Sequence, residues 1–411
     1  MTSRRSRAVE AARDNSCNAS TSAEPSHIPR EASPPACRRH SILKGICVSG
    51  AVSLLLVAGL VVVLEWRLRR REAHIVQNTR GKNGEIVSAA LASLHTYEHG
   101  KGARLQPDVD VIIRNHQLSR RDIRVQTNSL GFRDHEIPAK KAPNEFRVLV
   151  LGDSITCGDY LEADEVWVER AAFHLSKAFP SRLIEMINAG VGDIGIREEI
   201  DILREKGLQT HPDVVLLAFY VNDSRPPFGF PAELGGRGWL RRHSLLAETL
   251  YKQFKLRQWI REQGKDRFGW FTRVDDFDWA NDPAAFRELA HRARFDWGAG
   301  WEQEAWPDVD AQLDALAALA RAHGFRVAVV AFPVSFQVEA KFLEDEPQRK
   351  VRDKAQALGF AFHDLLPGLR LHASERLFFD HCHPVAAAND MIGKDVADFL
   401  ARTFLNPPPV P

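Results

Sequence analysis

Short apolar runs alternate along the chain with stretches in which apolar residues recur every three to four positions. The runs at 146–151, 183–187, 213–219, 326–332 and 359–363 have the length and composition of buried strands. Helical spacing at 166–179, 308–323, 346–358 and 385–403 separates or follows them, and Gly324 stands where a helix C-terminal cap is expected. A parallel neighbour cannot be reached through a tight turn, so strands joined by helices imply crossovers in one sheet. The pattern predicts an α/β fold, a three-layer α/β/α sandwich around a five-stranded parallel sheet. Ligands gather at the C-terminal strand ends of such sheets. That rule selects Ser154, the stretch 188–195, and Asn222 with Asp223.

Three regions depart from this rhythm. Residues 45–64 carry no charge, and ~20 helical residues cross a ~30 Å hydrocarbon layer, which predicts a transmembrane helix. Residues 1–40, rich in Ser, Arg, Ala and Pro, read as a disordered tail. A cleaved leader fits poorly, because the preceding tail is too long and Glu65-Trp66-Arg67 follows in place of small residues. Residues 73–145 hold two short β-type runs, 109–113 and 123–127, and read as a small β-rich membrane-proximal segment. The connection 224–325 is far longer than a crossover needs and predicts an inserted cap. It contains Trp239, Trp259, Trp270, Trp279, Trp297, Trp301 and Trp306. Most of these read as the insert's own core, with two or three left for a sugar or acyl groove or for a membrane surface.

Composition excludes more than it selects. A net charge of +1 and a pI near 7.8, without a basic stripe, argue against nucleic acid as a partner. Five scattered cysteines form neither a disulfide framework nor a spaced zinc site. Arg30, Arg38, Arg39 and Lys44 before the apolar span balance Arg67, Arg69, Arg70 and Arg71 after it, so flanking charge sets no orientation.

A serine becomes a nucleophile only beside a positioned base and donors for the oxyanion. Gly152-Asp153-Ser154 closes the first strand, and Asp380-His381-Cys382-His383-Pro384 precedes the last helix. A D-x-x-H loop lets Asp380 orient the His383 imidazole. Alone, Gly-Asp-Ser would be a turn capping a short helix. Adjacent Asp380, His381 and Cys382 rarely reach one ion together, so neither metal nor cofactor is expected.

Taken in order, Gly152-Asp153-Ser154, Asn188-Ala-Gly-Val-Gly192, Val221-Asn222-Asp223 and Asp380-His-Cys-His383-Pro384 resemble the four blocks of the SGNH or GDSL hydrolases over residues 146–405. The resemblance implies a flavodoxin-like SGNH hydrolase domain with Ser154, Asp380 and His383 catalytic. It also implies an oxyanion hole from the Ser154 N–H, a second-block N–H and the Asn222 side chain. The second-block donor falls on Gly192 or Asp193 according to one gap, and Gly192 is taken. Tyr220 stands where the family usually has glycine. Asn128-Ser-Leu-Gly-Phe-Arg133 and Trp167 are similar to membrane-attached bacterial members, which implies an extracytoplasmic catalytic domain on a single-pass anchor. The expected activity is serine esterase action on an acylated envelope carbohydrate or lipid. An O-acyltransferase on the same residues and a non-catalytic polysaccharide-binding or assembly module are the alternatives. Cys157 and Cys382 are either unrelated buried thiols or, in an oxidising compartment, a disulfide clamping the C-terminal loop.

Overall fold

In the computed structural model the chain divides into Met1–Leu60 and Val61–Pro411. The structure describes residues 36–78, 94–98, 102–224, 239–247, 249–251, 253–254, 270–271 and 273–406. One helix, Ala36–Asn78, runs through the division. Its stretch Ile46–Arg70 is long and apolar enough to cross a membrane, with Leu54, Leu56 and Val62 exposed. This helix takes in residues 36–40, which composition grouped with the tail. Residues 1–35 and Trp259 lie outside the described residues.

Nine strands follow among the described residues. β1 (His95–Glu98) pairs antiparallel with β2 (Gly102–Leu105), and β3 (Asp110–Ile113) with β4 (Ile123–Gln126). The other five, β5 (Glu145–Leu151), β6 (Leu183–Asn188), β7 (Val214–Tyr220), β8 (Arg326–Phe332) and β9 (Ala361–Asp364), form one parallel sheet in the order β6-β5-β7-β8-β9. This is the expected three-layer sandwich.

The strands are almost continuously apolar because both sheet faces are covered. Val148, Val150, Leu216, Ala218 and Val330 point into one core, beside Trp167, Ala171 and Leu175 of helix Trp167–Ala178 and Ile392 and Val396 of helix Ala386–Leu400. Their sequence neighbours Leu149, Leu151, Leu217 and Val329 enter the other core, with Ile200 and Leu203 of helix Ile196–Glu205 and Val309 and Leu313 of helix Trp306–His323. The small β-rich segment shares this second core through Leu94, Leu105, Val111, Val125 and Phe132. Arg147, fully buried at the base of β5, is satisfied by Glu145 at 2.6 Å and by the carbonyls of Thr210 and Pro138.

Helix Ile196–Glu205, helix Pro283–Arg292 and the β1–β2 hairpin are among the elements that escaped the hydrophobic pattern. Helix Ile196–Glu205 is more than half charged and shows only Ile196, Ile200 and Leu203 at helical spacing, too few to separate it from a loop. The β1–β2 hairpin carries no apolar run. β9 starts two residues later than expected, because Gly359, at φ 76°, still belongs to the turn that leaves helix Glu346–Ala357. In the insert, Trp270, Trp297 and Trp306 are buried, and the Trp297 ring centroid lies 5.8 Å from Trp270 and 5.6 Å from Trp301. Trp270 and Trp297 belong to the first sheet core and Trp306 to the second, so they do not form a separate core of the insert, whereas Trp239 is exposed.

Candidate active site

The end of β5 is built for close approach. A Cβ on Gly152 would lie 2.2 Å from Thr156 Oγ1, so only glycine fits there. The Ile155 amide donates to Asp153 Oδ1 at 2.9 Å, which caps the single turn Ser154–Cys157, and Gly158 closes that turn at φ 63°. Asp153 is therefore a helix cap, and the turn it caps begins with Ser154.

The histidine arrives from the other end of the chain. Ser154 Oγ and His383 Nε2 stand 2.9 Å apart, and His383 Nδ1 lies 2.8 Å from Asp380 Oδ2. Asp380 Oδ1 also accepts the Cys382 and His383 amides, each at 2.9 Å, so one carboxylate shapes the loop and orients the ring. The loop is pinned below by Phe379 N donating to His383 O and by Asn389 Nδ2 donating to Pro384 O. Asn389 Oδ1 in turn accepts the Trp167 amide at 2.9 Å, tying helix Ala386–Leu400 to helix Trp167–Ala178. The Tyr160 ring meets the imidazole edge-on, with centroids 5.0 Å apart.

The remaining strand ends line the same edge. Asn188, at the end of β6, donates from Nδ2 to Thr156 O at 2.8 Å, and a Cβ on Gly190 would strike the Cys157 amide at 2.4 Å. Beyond them a Cβ on Gly192 would meet Ser154 Cβ at 4.0 Å and, more tightly, His95 Nε2 at 3.3 Å, so a side chain there would crowd the serine's neighbourhood. Asp193 is at φ 62°, in the left-handed region that favours glycine. After β7, the Tyr220 amide donates to Asp223 Oδ2 at 2.7 Å and the Ile196 amide to Asp223 O at 3.2 Å, fixing the turn that carries Asn222. Asn222 Oδ1 is buried with no hydrogen-bond partner among the described residues. Tyr220 is buried as the last residue of β7.

Charge sharpens the arrangement. Burial alone would lower the His383 pKa, but the hydrogen bond and charge of Asp380 outweigh it and raise it above the ordinary histidine value. Burial alone would raise Asp380, and the bond from His383 overrides it and holds the carboxyl well below the usual range. The imidazole is thus a strengthened base facing Ser154.

Sequence reasoning passed over several supports. Arg133, buried, donates to Cys157 O at 2.8 Å and Leu161 O at 2.6 Å, so it grips both ends of the loop behind Ser154. Its motif was visible, but nothing local says where the guanidinium goes. Cys157 and Cys382 are both free thiols, and they belong to the two cores on opposite faces of the sheet, which accounts for their not pairing. Burial pushes the Cys157 thiol up to about 12 and raises the Cys382 thiol as well. Donor atoms of Asp380, His381 and Cys382 lie within 4.8 Å of one another, as do those of Asp134, His135 and Glu185. Both Asp380 oxygens are already engaged by the loop and by His383.

No protein-family profile and no curated protein matches the chain. Among solved structures it is similar to an alpha/beta hydrolase from the metagenome of Lake Arreo, Spain, at 16% identity over 64% of this chain and 97% of that one, TM-score 0.36. It is similar to an acetyl xylan esterase from Geobacillus stearothermophilus at 14% identity over 64% and 97%, TM-score 0.38. A two-domain esterase active on acetylated mannans shares 14% identity over 65% of this chain and 52% of its own, TM-score 0.37.

Proposed function

We propose that the chain is an SGNH-type serine esterase that removes O-acyl or O-acetyl groups through an acyl-enzyme on Ser154. One observation carries the reading: the unbroken line from Ser154 Oγ to His383 Nε2, at 2.9 Å, and from His383 Nδ1 to Asp380, at 2.8 Å. His383 takes the Ser154 proton as Oγ attacks the ester carbonyl, then returns it to the leaving alcohol. Water, deprotonated by the same imidazole, releases the acid and restores the serine. Asp380 holds the ring and offsets its charge. The Ser154 amide, the Gly192 amide and the Asn222 side chain supply the oxyanion donors, each worth ~10²–10³ in rate.

The substrate class is an acylated envelope carbohydrate or lipid, met by a catalytic domain outside the cytoplasm on one membrane helix. The orientation follows the family resemblance, and the apolar stretch Ile46–Arg70 supports the anchor. Water is taken as the acceptor over a sugar hydroxyl, in keeping with the burial of Trp270, Trp297 and Trp306 among the described residues of the insert. The test is turnover of short p-nitrophenyl esters by the full chain. Ser154→Ala abolishes it while the fold persists, and full residual turnover in that variant would falsify the reading.

A further inference from the structure

His95 opens β1, in the segment that precedes the five-stranded sheet. A Cβ on Gly192 would sit 3.3 Å from His95 Nε2 and 4.0 Å from Ser154 Cβ. The atom-sized position that a Cβ would fill on that glycine is therefore flanked by the serine and by an imidazole nitrogen within hydrogen-bond reach.

The hairpin that carries His95 is firmly seated. Leu94 is fully buried, its carbonyl accepts the Gln106 amide at 2.9 Å, and His95 pairs in register with Leu105, itself buried. Gly102 packs so tightly that a Cβ there would meet the Glu198 side chain at 2.7 Å. Arg104, buried, bridges to Glu205 at 3.2 Å. Both contacts fall on helix Ile196–Glu205, which starts four residues after Gly192. The imidazole and the Gly192 loop thus share one support, and their spacing is set by packed side chains.

We propose that His95 is a substrate-contacting residue, its Nε2–H donating a hydrogen bond to the acyl oxygen of the tetrahedral state on Ser154. This rests on the acyl-enzyme reading above. His95 forms and breaks no covalent bond; it adds a donor to the oxyanion site from outside residues 146–405. The esterase site is then completed by the membrane-proximal hairpin, which ties catalysis to the segment next to the anchor.

The experiment compares His95→Ala and His95→Gln in the full chain, with kcat and KM for p-nitrophenyl acetate and fluorophosphonate labelling of Ser154. A donor that acts in the tetrahedral state is read in kcat, so His95→Ala lowers kcat at least ~10-fold with KM within about 2-fold. His95→Gln keeps an N–H at similar reach and recovers part of the loss. Turnover by His95→Ala within about 2-fold of the parent overturns the role of His95, and so does a loss that falls wholly on KM. Parental turnover in Ser154→Ala instead overturns the acyl-enzyme reading itself, so the two failures are told apart.

Discussion

Ser154 Oγ and His383 Nε2 meet at 2.9 Å across 229 positions of sequence, and the second ring nitrogen is already held by Asp380. The serine rides on a capped turn and the histidine on a loop pinned to the last helix. Two independent elements therefore fix one short contact.

The first prediction concerns pH. In the proposed mechanism the base works as neutral imidazole, and Asp380 raises the His383 pKa, so the acid limb of kcat/KM should lie above the ordinary histidine value. Asp380→Asn removes that charge and moves the limb to lower pH, while lowering kcat by ~10³–10⁴. A pH–rate profile of parent and variant checks both shifts. An acid limb unmoved by Asp380→Asn rules out His383 as the titrating base.

Arg133 is the second target. Arg133→Met leaves the buried Cys157 and Leu161 carbonyls without their donor and should cost ~2–4 kcal/mol in denaturant titration. Fluorophosphonate labelling of Ser154 should slow in parallel, because the loop behind the serine loses its clamp. Unchanged stability would show that the two bonds contribute nothing net.

Glu199 gives a linkage test. Burial, then the charges of Asp223, Asp153 and Glu198, raise its pKa well above the ordinary carboxyl value, and neither oxygen has a hydrogen-bond partner among the described residues. A raised folded-state pKa means stability is full below the unfolded value of ~4.3 and is lost as pH rises toward the folded one. Glu199→Gln removes that dependence. Its Tm should match the parent near pH 4 and exceed it by ~2–5 °C at pH 8, read by thermal unfolding at both pH values. A parent as stable as the variant at pH 8 contradicts the neutral buried carboxyl.

The cysteines provide a fourth. With burial pushing Cys157 up to about 12 and Cys382 raised as well, little thiolate exists at pH 8. Iodoacetamide should leave both unmodified in the folded protein and modify both after denaturation without reductant, as read by peptide mass. A reductant requirement would reveal a disulfide and contradict their placement in separate cores.

The same Gly190 that carries the second block also reports on packing. Gly190→Ala puts a methyl against the Cys157 amide and the Thr156 backbone, where no rotamer gives relief, and should cost ~1–3 kcal/mol or more. Gly324→Ala has open space and pays only for its φ of 77°, about 1–2 kcal/mol. Denaturation midpoints of the two variants should rank in that order, with Ser154 labelling lost only in the first.

Hydrophobic order alone determined the parallel sheet, since five apolar runs separated by helical spacing leave few other ways to bury both faces. It also placed Ser154, Asn188 and Asn222 at strand ends, because strand length and the first polar residue after it are local properties. Helix Ile196–Glu205 and the β1–β2 hairpin stayed hidden, as their stability comes from what they pack against and not from their own residues. The tertiary structure alone decided that Cys157 and Cys382 fall in separate cores, since the side of a sheet on which a loop residue lands depends on chain geometry beyond the strand. It also decided that Arg133 grips the Ser154 loop and that His95 stands over Gly192. A long side chain finds its partner only once distant segments share a core, and no spacing along the chain encodes that meeting.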